Sequence, residues 1–269
     1  MFFLIRVLIK EYNYFNKRPV KYMGIFQGSN KSYIGAHRGA SAYRPENTMS
    51  SFKKALQLKT DMLELDVQLT KDKKVIVFHD FTLERITNLQ GMVKDYSYEE
   101  LKNVDVGSWF SEKYHFERIP LFEQVLDLAN NKVWLNIELK HLENEQNELV
   151  KLVIDQLTSY KMIDQVQIMA SNHKLLYEVR KYSKKVVTNV ITSARLINPI
   201  KYLQELDAQV LNTPLINLSP SLVEQVHKAG FYVHGSISND IDYWKTLQDW
   251  KVDVMDTDVP DVMAKNRIE

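Results

Sequence analysis

The run Ile34-Gly35-Ala36-His37-Arg38-Gly39 is apolar, short enough for a buried strand, and ends in an imidazole and a guanidinium. Parallel barrels and open sheets keep their chemistry at the carboxyl ends of strands. From Asp61 to Val67 the alternation puts Glu64 and Asp66 on one face and Leu63, Leu65 and Val67 on the other. Two carboxylates pointing the same way between aliphatic residues are costly unless a cation or hydrogen-bond donors answer them. Val75 to Phe78 leads into His79-Asp80, and Val133 to Leu139 leads into Glu138-Leu139-Lys140, a carboxylate and an ammonium two residues apart on the same side.

Collected in one place, these groups form a coherent chemical set. Glu64, Asp66 and Glu138 make a hard-oxygen site suited to Mg²⁺ or Ca²⁺. The chain has no cysteine, so any metal must be held by oxygen or imidazole. Arg38 offers a fork and Lys140 a point charge to a phosphate. His37 and His79 supply a base and an acid near neutral pH. A metal, cations and a histidine pair describe phosphoryl transfer, in which the catalyst mainly positions groups and offsets charge. The plainer readings are a satisfied core histidine beside a surface arginine, and a surface edge strand for the acidic run.

Elements that would position these residues follow from periodicity. Met49, Phe52, Ala55 and Leu56 have helical spacing after Pro45-Glu46-Asn47-Thr48. The link at 70–74 is too short for a parallel crossover, so 75–78 is a hairpin return that brings His79 back beside Asp66. Residues 81–119 lack a long period and read as a small inserted lobe, with a short helix at 98–101. Helices are expected at 121–129, 145–160, 173–183, 199–206, 220–229 and 240–250, alternating with strands at 165–170, 186–191, 208–212, 231–237 and 252–256. With the hairpin return set aside, the parallel strands begin at 33, 61, 133, 165, 186, 208, 231 and 252, as many as a closed (β/α)8 TIM barrel requires. An open doubly wound sheet is the alternative, but no Gly-rich phosphate loop follows the first strand.

Composition narrows the partners. The 269 residues are 45% hydrophobic and 26% charged, which suits one domain with an ample core. Lys plus Arg total 35 against 34 for Asp plus Glu, so no overall field favours nucleic acid or an anionic bilayer. No apolar run approaches the ~20 residues of a bilayer span. The start, residues 1–10, is apolar but broken by Arg6 and lacks the flanks of a secretory signal. Residues 1–31 mix aromatic and aliphatic side chains with Lys10, Lys17, Arg18, Lys21 and Lys31; they are read as an amphipathic arm. The arm would pack across the bottom of the domain, lie on a membrane surface, or end a longer membrane-attached polypeptide. The expected location is cytoplasmic or peripheral to a membrane, with residues 32–269 as the barrel.

His37-Arg38-Gly39, Pro45-Glu46-Asn47-Thr48, Glu64-Leu65-Asp66-Val67, His79-Asp80 and Asn136-Ile137-Glu138-Leu139-Lys140 come in the order and spacing of the glycerophosphodiester phosphodiesterase family, relatives of the phosphatidylinositol-specific phospholipases C. A weaker match through Ala170-Ser171 and Thr257-Asp258-Val259-Pro260 extends the resemblance over residues 33–262. The resemblance implies a TIM barrel with a small insertion, a divalent cation, and hydrolysis of a glycerophosphodiester to sn-glycerol 3-phosphate and an alcohol. It implies Glu64, Asp66 and Glu138 as metal ligands, His37 and His79 as the acid-base pair, and Arg38 and Lys140 as phosphate contacts. Glu46 would be a further ligand or a glycerol contact. Asn47 would orient its loop or, as the favoured role, cap the following helix.

One departure is plain. Where the family often carries Trp-Thr-Val-Asn, this chain has Ser236-Ile237-Ser238-Asn239 after Gly235. Phe81, Trp109, Phe110 or Tyr114 would replace the missing aromatic wall, or the Trp109-Phe110 pair packs locally within the lobe. Rival readings are a lysophospholipase D-like or polyglycerol-phosphate hydrolase working at a surface, and a noncatalytic barrel that binds phosphodiesters.

Overall fold

The computed structural model describes residues 31–141 and 146–268; the expected arm, apart from Lys31, lies outside them. Strands β1 (Tyr33–Ala36), β2 (Met62–Leu69) and β3 (Val75–Val77) open the fold, with helix α1 (Met49–Gln57) between the first two. After the short α2 (Tyr98–Leu101) and then α3 (Phe122–Ala129), the chain alternates regularly. It runs through β4 (Trp134–Leu139), α4 (Gln146–Ser159), β5 (Val166–Ala170), α5 (His173–Tyr182), β6 (Val187–Ile191) and α6 (Pro199–Leu206). It ends with β7 (Val210–Thr213), α7 (Pro220–Lys228), β8 (Tyr232–Gly235), α8 (Ile241–Asp249), β9 (Val254–Thr257) and α9 (Pro260–Lys265).

Eight of these strands run parallel and close on themselves. β1 pairs with β9 on one side and with the first residues of β2 on the other. β3 is antiparallel to the far end of β2, Val67 opposite Val77, so the hairpin return takes over as a neighbour of β2 where β1 stops. The fold is the (β/α)8 barrel read from the strand count. Helix α9 is an element that reading did not contain.

Alternation explains both faces of the sheet. Ile34, Ala36, Leu63, Leu65, Val67, Leu135, Ile137 and Leu139 belong to the core shared with Phe52, Leu126, Val153 and Trp244 of the surrounding helices. The other face looks into the barrel. Its floor is Met62 and Val254 with Tyr33 and Trp134 packed against them. Above the floor the filling turns polar, where bulky aliphatic layers are usual. Asn136 of β4 reaches Asp256 of β9 at 3.5 Å, and Asn189 of β6 lies 3.0 Å from His234 of β8. Neither pair of strands is adjacent in the sheet, so both contacts cross the lumen. His234 in turn lies 3.0 Å from Asp256, whose carboxylate sits over Gly35. A Cβ at Gly35 would stand 1.9 Å from Asp256 Oδ1, so a glycine is required there.

Residues of the 81–119 stretch have a small core of their own, in which Leu83, Ile86, Val93, Leu101, Val106 and Ile119 pack on Ile76 and Phe78 of the hairpin return. That contact fixes the lobe beside the carboxyl ends of the strands. Among the described residues no helix is long and apolar enough to cross a membrane.

Candidate active site

β1 ends in a tight left-handed turn, with φ +52° at Arg38 and +84° at Gly39. A Cβ on Gly39 would lie 2.3 Å from Ser51 Oγ, so helix α1 can approach only a glycine. The turn aims the Arg38 backbone N–H at Glu64 Oε2, 2.8 Å away. Arg38 Nη1 donates to Glu46 at 2.8 Å, and its Nε lies 3.5 Å from Asp66 Oδ2.

Glu64 and Asp66 stand on the inner face of β2, both nearly fully buried, and register pairs Asp66 with Glu138 of β4. One oxygen from each of Glu64, Asp66 and Glu138 lies within 4.8 Å of the other two. The Lys140 ammonium sits between two of them, 2.8 Å from Glu138 and 3.3 Å from Asp66. Burial, with Asp66 and Asp256 nearby, pushes the Glu64 carboxyl well above its ordinary range. Burial and Asp66 likewise raise Glu138. For Asp66 burial is outweighed by Lys140, His79 and Arg38, which hold it low. Two acids whose ionised forms are disfavoured beside a third are what a dication relieves, and three carboxylate oxygens match a hard cation. The donor set fits a Mg²⁺ or Ca²⁺ ion.

The two histidines are each clamped by an aspartate. His37 Nδ1 donates to Asp258 Oδ1 at 2.8 Å, and His79 Nδ1 to Asp80 Oδ1 at 2.5 Å. A carboxylate on Nδ1 fixes the ring and leaves Nε2 for chemistry. Burial, aided by Lys140 and Arg38, outweighs Asp66 and sets His79 below the usual imidazole range. Gln68 steadies the hairpin return by donating to the carbonyls of Phe78 and Asp80, each at 2.8 Å.

Asp258 also accepts from Asn239 at 2.8 Å and from the Ser41 hydroxyl at 2.7 Å. Burial alone would raise its carboxyl, but the bonds from His37, Asn239 and Ser41 pull it down to about 2. A folded pKa below the unfolded value makes the ionised group stabilising above about pH 4, a contribution lost as pH falls toward 2. Asp258→Asn should therefore remove about 2 kcal/mol of stability at pH 7. Urea unfolding of wild type and variant should show that difference narrowing at pH 3; a gap of constant size would show that the ion pair is not its source.

Glu46 and Asn47 each bond a residue of the site. Glu46 accepts from Arg38 and, through both oxygens, from Arg85 at 2.9 and 2.6 Å. It lies outside the acidic cluster. Asn47 is not the helix cap. Thr48 caps α1, its hydroxyl accepting from Ser51 N, while Asn47 donates to Asp66 Oδ2 at 2.8 Å. With φ at +54° the Asn47 side chain turns back toward β2, which is why the cap falls one residue later. Three of the four expected aromatic substitutes pack on one another: Trp109 stands edge to face on Phe110 and Phe110 on Tyr114, with the Trp109 indole N–H donating to Val106 O at 2.9 Å.

Arg85, from the lobe, was not singled out in the sequence. Its Nε donates to Asp80, the partner of His79, while its two Nη atoms hold Glu46, the partner of Arg38. One planar fork thus spans both halves of the site, something a lysine cannot do. Arg85→Gln should lower kcat/KM about tenfold or more, and Arg85→Lys should recover little of it. Full rescue by lysine would mean that only net charge matters.

A closed barrel with a carboxylate cluster, phosphate-sized cations and two clamped imidazoles at its mouth defines a hydrolase of the phosphodiesterase class. The chain belongs to the glycerophosphoryl diester phosphodiesterase family, whose model matches residues 37–262. It is 37% identical over 201 residues to a glycerophosphodiester phosphodiesterase of Caldanaerobacter subterraneus subsp. tengcongensis, covering 74% of this chain and 83% of that one. It is 35% identical over 240 residues to a putative glycerophosphodiester phosphodiesterase of Bacillus subtilis, covering 87% and 97%. A phosphodiesterase of Oleispira antarctica, solved with the product sn-glycerol-3-phosphate, superposes with a TM-score of 0.84 at 26% identity, covering 88% of this chain and 96% of that one.

Proposed function

We propose that the chain hydrolyses a glycerophosphodiester to sn-glycerol 3-phosphate and an alcohol, using a divalent cation and the His37/His79 pair. The observation that carries this reading is the meeting of Glu64, Asp66 and Glu138 within 4.8 Å, with Lys140 among them. The product bound to the Oleispira antarctica relative supports the same product here. Residues 32–269 act as one catalytic unit, with 81–119 as its lobe.

Glu64, Asp66 and Glu138 would hold the cation, which when bound supplies positive charge at the phosphate's nonbridging oxygens. Arg38 and Lys140 bind the same phosphate, and their charge counts for most as negative charge builds in the transition state. Glu46 holds the Arg38 fork in place, and Asn47 holds Asp66. His79, whose imidazole burial holds below its ordinary range, takes the proton from the nucleophile, either water or the substrate's glycerol 2-hydroxyl; in the second case water then opens the cyclic phosphate to sn-glycerol 3-phosphate. His37, braced by ionised Asp258, gives its proton to the departing alkoxide.

Turnover of a panel of glycerophosphodiesters, each with Mg²⁺ and with Ca²⁺, tests the assignment. Release of sn-glycerol 3-phosphate from at least one is expected. No turnover of any member with either cation would contradict it.

A further inference from the structure

The polar middle of the barrel holds one carboxylate that the proposed reaction does not use. Asp256 of β9 is 5% exposed and lies outside the cluster of possible metal ligands. It sits one layer below that cluster, since Asp256 and Asn136 precede Asp258 and Glu138 by two residues on their strands. Gly35 of β1 makes room for it, where any Cβ would collide with Asp256 Oδ1. After burial and Asp66, the charge on Asp256 does most to raise the Glu64 carboxyl, so the two groups feel one another across β1.

A buried carboxylate is costly unless donors or a counter-charge answer it. The donors around Asp256 fall short. Its Oδ1 has no hydrogen-bond partner among the described residues. Its Oδ2 has Asn136 Nδ2 at 3.5 Å, a long contact, and His234 Nε2 at 3.0 Å but out of line for a hydrogen bond. Nor does His234 bring a counter-charge. Its Nδ1 lies 3.0 Å from Asn189 Nδ2 and 3.3 Å from Asn212 Nδ2, and a nitrogen that faces two amide donors is an acceptor, which leaves the ring proton on Nε2. The Ser236 hydroxyl fixes the Asn212 amide by donating to its Oδ1 at 3.0 Å.

The missing counter-charge has to come from the mouth. Lys140 is engaged by Glu138 and Asp66, and Arg38 by Asp66 and Glu46, while Glu46 is itself matched by Arg85. Glu64, Asp66, Glu138 and Asp256 thus outnumber Arg38 and Lys140 by the charge of one dication. We propose that Asp256 is an outer charge of the cation site, a carboxylate that touches no ion but strengthens the hold of Glu64, Asp66 and Glu138 on a dication before any phosphate arrives. The inference deepens the proposed cation-dependent reaction and rests on it. A purely structural tie between β4, β8 and β9 would need the shape of Asp256 and not its charge, which separates the two roles by experiment.

Asp256→Asn keeps the shape and removes the charge. Calorimetric titration of the metal-stripped, substrate-free full chain with Mg²⁺ and with Ca²⁺ should show the variant binding the cation about tenfold or more weaker than wild type. Asp256→Asn/Asn136→Asp moves the carboxylate to the other end of the same contact and should regain most of that affinity. Asn136→Asp alone, which adds a carboxylate beside the intact Asp256, should bind the cation more tightly than wild type. Thermal melts in EDTA show that each protein is folded, and the rise in melting temperature on adding the cation reads the same affinities a second way. Equal cation affinity in wild type and Asp256→Asn, or a loss that the exchanged pair does not recover, would overturn the proposal and leave the cation site standing. A wild type that binds neither cation would remove the cation site, and this inference with it.

Discussion

His79→Ala is expected to lower kcat about a thousandfold while leaving the fold intact, since a positioned base typically contributes 10²–10⁴. His37→Ala should cost about as much on an alkyl phosphodiester, where the leaving alkoxide needs a proton. The two variants separate when the alcohol is replaced by p-nitrophenol, which departs without protonation. On that substrate His37→Ala should recover most of its rate and His79→Ala should not. The reverse pattern would exchange the roles of the two imidazoles, and wild-type rates in either variant would discard the acid-base pair. Circular dichroism on the same samples shows whether a loss of rate is chemical or a loss of fold.

The second large effect concerns Glu64. Its carboxyl is raised by burial and by Asp66, so the folded protein binds that proton more tightly than the unfolded chain. Stability contributed by this group therefore falls as pH rises above the ordinary glutamate range. At pH 7 in EDTA, Glu64→Gln should melt no lower than wild type, because the substitution keeps the shape and replaces a carboxyl whose ionised form burial and Asp66 disfavour. With saturating Mg²⁺ or Ca²⁺ the order should invert: the wild type gains stability by linkage and the variant gains little. Affinity for the cation should drop about a hundredfold, and turnover should fall with it. Thermal melts with and without the cation, read beside titration calorimetry, check both signs. A variant that responds to the cation as the wild type does would remove Glu64 from the metal site.

Much of this architecture was legible from side-chain type alone. Alternation in Met62–Leu69 and Trp134–Leu139 separates acids from aliphatic residues, so these strands and the carboxylates they present can be read without a structure. The short link before β3 forces a hairpin, and the hairpin returns His79 to Asp66, where Phe78 N donates to Asp66 O at 3.0 Å.

What escaped the reading depends on closure. Asp258 clamps His37 from 221 residues away, a pairing that exists because β9 returns beside β1. Its motif, Thr257-Asp258-Val259-Pro260, was visible but carried no role. Arg85 lies in a stretch without periodicity, so nothing local distinguishes it from a solvated arginine. The polar middle of the barrel was equally hidden, because Asn136, Asn189, His234 and Asp256 read singly as ordinary residues of buried strands. Helix α9, six residues long, is too short to show a period.

The most direct test of the account is ³¹P nuclear magnetic resonance of glycerophosphocholine incubated with the metal-stripped protein, then with Mg²⁺ or Ca²⁺ restored. Only the unchanged glycerophosphocholine resonance is expected before addition, and an sn-glycerol 3-phosphate resonance should grow after it, with any cyclic phosphodiester appearing first if the 2-hydroxyl attacks. Full turnover in the stripped sample, or none after either cation, would contradict the claim that Glu64, Asp66 and Glu138 assemble a cation-dependent phosphodiesterase.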